Sequence, residues 1–184
     1  DPFRFGLFAS RFHKRWVVLG VLCVVIATAL SRYSVVVLGS LTDAIATNPV
    51  DWQVLWMWAI IYPTLFFFSE TMWRLSGFTG MQWFMNFRFT AYQHLYAYLT
   101  LHSKSYFSSR FSGSLVNKIV NAVDGTQTLY EKLLWQFLPL VLGIVFYTIF
   151  AFMSDYRLGL ILLIWSILFL LLNVKKLTLI IQSI

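Results

Sequence analysis

Two rows of polar side chains stand out in a chain otherwise made for lipid. Gln82, Asn86, Thr90 and Gln93 recur at spacings of four, four and three; Asn117, Asn121, Asp124 and Thr128 recur at four, three and four. Each row occupies one face of a helix. Amides and a carboxylate can line a water-filled vestibule between packed helices, or they can simply meet solvent, and both readings stand. A second set is ionisable: Arg32, Glu70 and Arg74 lie within or at the edge of apolar runs. A charge in that setting is expensive, and it is a functional hypothesis by default. Arg32 either reaches the outer interface or lines a polar cavity. Glu70 precedes Arg74 by four residues, the favourable order for a pair on a helix surface. Glu131 and Lys132 sit similarly at the inner edge of an apolar run.

Enzyme machinery is not evident. No phosphate-cradling G-x-x-x-x-G-K-[ST] loop and no H-E-x-x-H pair occur, and Gly77-Phe-Thr-Gly80 is not followed by Lys-Ser or Lys-Thr. His13, His94 and His102 are scattered. His94 and His102 are eight apart, two turns along one face, too far to share a metal without other ligands. Seven acids in the whole chain form no close pair suited to acid–base work. We therefore assign no catalytic residue and no metal site.

These residues must be held by membrane helices. The chain is 59% hydrophobic and 11% charged, with 19% aromatics and a mean hydropathy of +0.73. A soluble domain carries about 25% charged residues. The net charge of +7 does not point to nucleic acid, because the basic residues flank apolar runs, where they anchor segments facing the cytoplasm. The single Cys23 lies in an apolar run and reads as a small hydrophobe. The chain starts at Asp1 without Met and ends at Ile184 on an apolar run, which reads as a piece of a longer protein.

A bilayer-spanning helix needs about 20 apolar residues. The first span runs over about 16–39, preceded by Arg4, Arg11, Lys14 and Arg15, so the N-terminus is expected in the cytoplasm. A cleaved signal peptide fits poorly, since the run is too long and no small-x-small site closes it. Asn48-Pro49 marks an outer turn. The second span covers about 52–72, with Trp52, Trp56 and Trp58 as an interfacial belt and Pro63 as an expected kink. The helix then continues to 101, with Gly77 and Gly80 as its weak points. Residues 52–101 as one helix would be about 75 Å long, more than twice the roughly 30 Å hydrocarbon core. A polar connector leads to a helix over 113–132 and a third span over 133–153, with Pro139 another expected kink. Residues 154–157 form a tight outer turn, and a fourth span covers about 156–176. The fold class is an all-α membrane protein: four transmembrane helices with long cytoplasmic extensions.

The most informative motif is the connector at 106–113, Tyr-Phe-Ser-Ser-Arg-Phe-Ser-Gly, followed by Ser114-Leu-Val-Asn-Lys118 and Val120-Asn-Ala-Val-Asp124. It resembles the first intracellular loop of type I ABC exporters, the class of bacterial lipid and multidrug exporters. Residues 38–45, Leu-Gly-Ser-Leu-Thr-Asp-Ala-Ile, resemble the end of that family's first helix. Residues 106–113 are similar to its aromatic-Phe-Asp-x-x-x-Thr-Gly segment. Lys118 stands at the position of an Arg and Asp124 at that of a final acid. Residues 154–158 are similar to its Trp-x-Leu outer turn. Ser108, Ser114 and Ala122 stand where the family pattern has acids, so this loop is less acidic.

The resemblance implies an N-terminal part of a six-helix transmembrane domain. An ATPase domain binding ATP and Mg2+ would lie outside this chain, which alone would hold no cofactor; the full-length protein would be an ABC-type ATPase. It implies a multi-pass protein of the cell (inner or plasma) membrane, with the bilayer, the ATPase domain and a second transporter half, identical or not, as partners. Ser105, Tyr106, Phe107, Ser108, Ser109 and Arg110 would form the coupling helix that touches the ATPase domain. Arg32, Gln82, Asn86, Asn117, Asn121 and Asp124 would border the translocation pathway, and the cargo would be amphipathic or lipid-like. A channel or ion-coupled carrier, or a non-transporting scaffold or sensor domain, are the competing classes.

Overall fold

A computed structural model of the chain describes residues 2–47, 49–102 and 112–182, with side chains described at 5–47, 49–102 and 114–172. The elements are α1 (Pro2–Ser10), a 3-10 turn (Arg11–His13), α2 (Lys14–Ala46), α3 (Trp52–Thr100), α4 (Ser112–Lys132), a π-helical turn (Leu133–Phe137), α5 (Leu138–Ser154) and α6 (Tyr156–Gln182). No strand occurs among the described residues. Three helical runs, Phe5–Ala46, Trp52–Thr100 and Ser114–Ser154, are long and apolar enough to cross a membrane. The all-α class read from the sequence is therefore observed, with three helices that could span a membrane where four were expected; Tyr156–Leu172 is a shorter apolar helix.

The chain forms two compact units, Asp1–Pro139 and Leu140–Ile184. In the first, α3 is the organising rod. The Asp51 carboxylate caps its start, accepting from the backbone N–H of Gln53 (3.0 Å) and Val54 (3.3 Å). It then runs 49 residues without interruption, through Pro63 and both glycines. That is about 73 Å of helix.

One seam along α3 does the packing. Ser69, Ser76, Trp83 and Thr90 are buried at seven-residue intervals, and so are the pairs Gly80/Phe87 and Phe84/Ala91. A seven-residue seam is the signature of left-handed coiled-coil packing. Its chemistry changes along its length. Its first part, together with Gly20, Ala27 and Thr28 buried on α2, is small. Lipid gives no hydrophobic drive between helices, so small residues that allow close backbone approach are what holds them there. The hydroxyl of Ser69 donates to the Ala27 carbonyl oxygen at 3.1 Å, which fixes α2 antiparallel to α3. From Trp83 onward the seam turns aromatic: Trp83, Phe84 and Phe87 join Ala9, Val24, Val123, Tyr130 and Leu134 in one buried cluster, with Val21 and Trp73 packed against it. Such a core gains from the hydrophobic effect only where water is the alternative.

The small-to-aromatic change on α3 falls beside the start of α2. The Trp16 ring at the head of α2 lies edge-on to Phe78, centroids 6.3 Å apart, and Gly20 faces Thr79. The stretch of α3 beside α2's apolar run thus extends to about Phe78.

α4 returns along α3, and Pro139 follows its π turn. Proline lacks an N–H and crowds the carbonyl four residues back. The widened turn, closed by Leu138 N–H to the Leu133 carbonyl, precedes it directly. The short α1, which no sequence pattern had suggested, packs on both rods. Gly6 makes that possible, since a Cβ there would run into the Tyr130 ring. In the second unit, α5 passes into α6 through one turn. Asp155 N–H donates to the Ala151 carbonyl at 2.9 Å, and the Asp155 carboxylate accepts from the Arg157 N–H at 2.8 Å. This is the tight turn expected at 154–157.

Candidate functional site

The polar chemistry gathers where α3 and α4 run together past the small-residue seam. Three contacts set their register. Trp135 Nε1–H donates to Ser76 Oγ (2.9 Å), its ring packing over Gly80. Trp83 and Tyr130 meet edge to face at 5.7 Å. Further out, Arg88 Nη2 lies 3.0 Å from Asp124 Oδ1.

Arg88 is the hub. Its Nη2 also donates to the Tyr92 hydroxyl (3.3 Å), its guanidinium lies 5.8 Å from that ring's centroid, and Nη1 reaches Gln127 Oε1 at 3.5 Å. Gln127 Nε2–H in turn donates to Glu131 Oε1 at 2.6 Å. Asp124 Oδ1 is shielded from solvent yet accepts no well-aligned hydrogen bond, so charge attraction is what holds it to Arg88. The side chains are 40% and 47% exposed. Water therefore screens the pair to about 0.2–1 kcal/mol. The network is a latch of modest strength between two rods.

Two hollows flank it. A groove of about 390 Å³ between α3 and α4 runs from Gly77, Met81 and Trp135 to Arg88, Gln127 and Glu131. A second, of about 580 Å³, lies between Phe5, Leu95, Asn121, Thr126 and Leu129 and is mostly apolar.

The residues singled out in the sequence are dispersed among these features. Asp124 meets α3, but through Arg88. Asn121 borders the larger hollow, and Asn117 is exposed. Gln82 and Asn86 are half-buried, and the Asn86 side-chain amide donates to the Gln82 backbone carbonyl at 2.7 Å. Thr90 Oγ1 lies 3.0 Å from His13 Nε2 in the N-terminal turn. Arg32 is half-buried on α2 beyond the level of Ser69, about 35 Å along the bundle from Asp124 at helical rise. Ser105, Tyr106, Phe107, Ser108, Ser109 and Arg110 lie outside the described residues.

Arg88, Tyr92 and Gln127 escaped the sequence reading. A signal existed: Arg88 is the sole Asp, Glu, Lys or Arg between Arg74 and Lys104. Glu70 and Arg74 are both exposed and do not form an ion pair. Because Ser69 bonds to Ala27, Glu70 lies beside the middle of α2's apolar run rather than at its edge. Among the described residues no three His, Cys, Asp or Glu side chains converge as a metal site.

No family model, curated protein or solved structure matches the chain. What the site can do rests on its own geometry: it can tie two long helices, bind through amides and charges, and expose an acid level with the middle of α2's apolar run.

Proposed function

We propose that the chain is the leading part of the transmembrane domain of an ATP-driven exporter of the type I ABC class, moving an amphipathic or lipid-like cargo by alternating access. The observation that carries this reading is α3, 49 unbroken residues that outrun any bilayer and pack their far end on α4 through a water-type aromatic core. A rod of this kind can carry motion from a cytoplasmic motor into the membrane. In this reading α6 is the fourth span, two more follow, and the N-terminus is cytoplasmic. Residues 105–110, with Phe107 as an apolar plug and Arg110 as a polar contact, receive the stroke of the ATPase domain, which binds ATP and Mg2+. A second half completes the pathway. Arg88–Asp124, an exposed and therefore weak latch, sets the register of α3 and α4 while leaving them free to slide during the cycle.

The test uses the full-length protein in sealed vesicles. Phe107→Ala is expected to leave Mg2+-ATP hydrolysis in place and to abolish hydrolysis-driven uptake of an amphipathic dye. Undiminished uptake overturns the coupling assignment, and a full-length protein without ATPase activity overturns the class.

Glu70 favours a second reading, an ion-coupled carrier, because an acid at mid-span depth is what a proton or cation relay uses. Transport driven by an imposed pH gradient without ATP decides for it.

A further inference from the structure

The turn between α1 and α2 holds Arg11, Lys14 and Arg15, all exposed, around a hollow of about 290 Å³ closed by Phe12 and Trp16. None of the three cations forms an ion pair with a described acid. His13 of the same turn faces Thr90 instead, so the turn is pinned to α3 and its cations are turned away from the bundle. Three features fix its depth. Trp16 opens α2's apolar run, Phe78 beside it is where the small-residue seam of α3 gives way to the aromatic one, and Trp is an interface residue. Just beyond, Val18, Leu19 and Leu22 expose 54%, 46% and 49% of their surface along α2.

We propose that this turn is a binding site for an anionic membrane phospholipid. Its phosphate sits among Arg11, Lys14 and Arg15, its glycerol region meets Phe12 and Trp16, and one acyl chain follows Val18 and Leu22. Guanidinium groups match phosphate oxygens in fork geometry, and the ammonium adds a point charge. A zwitterionic lipid offers the same phosphate but carries its own cation, which three uncompensated positive charges repel. The proposal does not depend on the exporter reading.

The experiment uses the full-length protein in neutral detergent, titrated with phosphatidylglycerol, phosphatidylcholine or inorganic phosphate, with bound lipid counted by native mass spectrometry. Phosphatidylglycerol is expected to bind at least tenfold tighter than phosphatidylcholine. Each cation near a membrane surface contributes about a fivefold factor at low salt. The triple variant Arg11→Gln, Lys14→Gln, Arg15→Gln should therefore lose roughly 100-fold. The charge-keeping variant Arg11→Lys, Arg15→Lys gives up the fork geometry alone and should lose at most about tenfold, which separates lost charge from lost fold. Lys118→Gln with Lys132→Gln, exposed cations on α4, should have no effect on binding. An equal loss in the α4 variant overturns the site in favour of diffuse surface charge. Binding of inorganic phosphate as tight as phosphatidylglycerol overturns the lipid assignment, and so does an unaltered affinity in the triple variant.

Discussion

Gly80 and Gly77 lie three residues apart on α3 and should respond to the same substitution in opposite ways. A Cβ at Gly80 would stand 2.6 Å from Trp135 Cζ2 and 3.2 Å from Cη2; at Gly77 it would meet nothing within 4 Å. The indole cannot easily retreat. Its Nε1–H is bonded to Ser76 Oγ at 2.9 Å, and its ring stands edge-on to Phe84 at 5.5 Å. Gly80→Ala must overpack this contact, at about 1–3 kcal/mol, and moving the ring risks the hydrogen bond, worth about 1 kcal/mol. Helix propensity returns about 1 kcal/mol for replacing glycine by alanine. The net expectation is a loss of about 1–3 kcal/mol for Gly80→Ala and a gain of up to about 1 kcal/mol for Gly77→Ala. Denaturant unfolding of the full-length protein in detergent, followed by tryptophan fluorescence, reads both. Trp135→Phe in the Gly80→Ala background should recover part of the loss, because the smaller ring leaves room. Equal stability of the two alanine variants would refute the close approach of α3 and α4, and with it the register that brings Arg88 to Asp124.

A double-mutant cycle with Arg88→Ala and Asp124→Ala should give a coupling of about 0.2–1 kcal/mol at low salt that fades above 1 M; a coupling unaltered by salt would mean that the pair is not the exposed one described. Glu70→Gln removes a charge at the depth of Ala27, and should raise the stability of the protein in bilayers by on the order of 1–3 kcal/mol. Destabilisation on that change would show that Glu70 has a partner holding it in its charged form.

The long helices were legible because span length and the absence of proline over 64–101 leave the chain little else to do. The tight turn at Asp155 was legible for the same reason, since an Asp sits between two apolar runs. The short α1 was not. Residues 2–10 hold a proline, a glycine and an arginine, and read as a basic flank; they pack as a helix because Gly6 fits Tyr130 and Ser10 Oγ accepts from Trp83 Nε1 at 3.1 Å, partners more than 70 residues away. The polar rows show a different limit. Spacing tells which residues share a face, and says nothing about what faces them. Asn86 bonds within its own helix, Thr90 meets His13, and the charge that reaches Asp124 comes from Arg88, outside the row.

Hydropathy and the buried seam carry different records of α3. Hydropathy alone stops the second span where charge begins, at Glu70 and Arg74. The buried seam carries a second record: small residues through Gly80, aromatic ones from Trp83. Glu70, next to Ser69, lies level with Ala27 in the middle of α2's apolar run. A substitution that makes the early seam bulky, such as Ser76→Phe, should then displace Trp135 and open the contact between α3 and the turn before Pro139. The same side chain is already accommodated eight residues further on, at Phe84, because the aromatic part of the seam is built around rings.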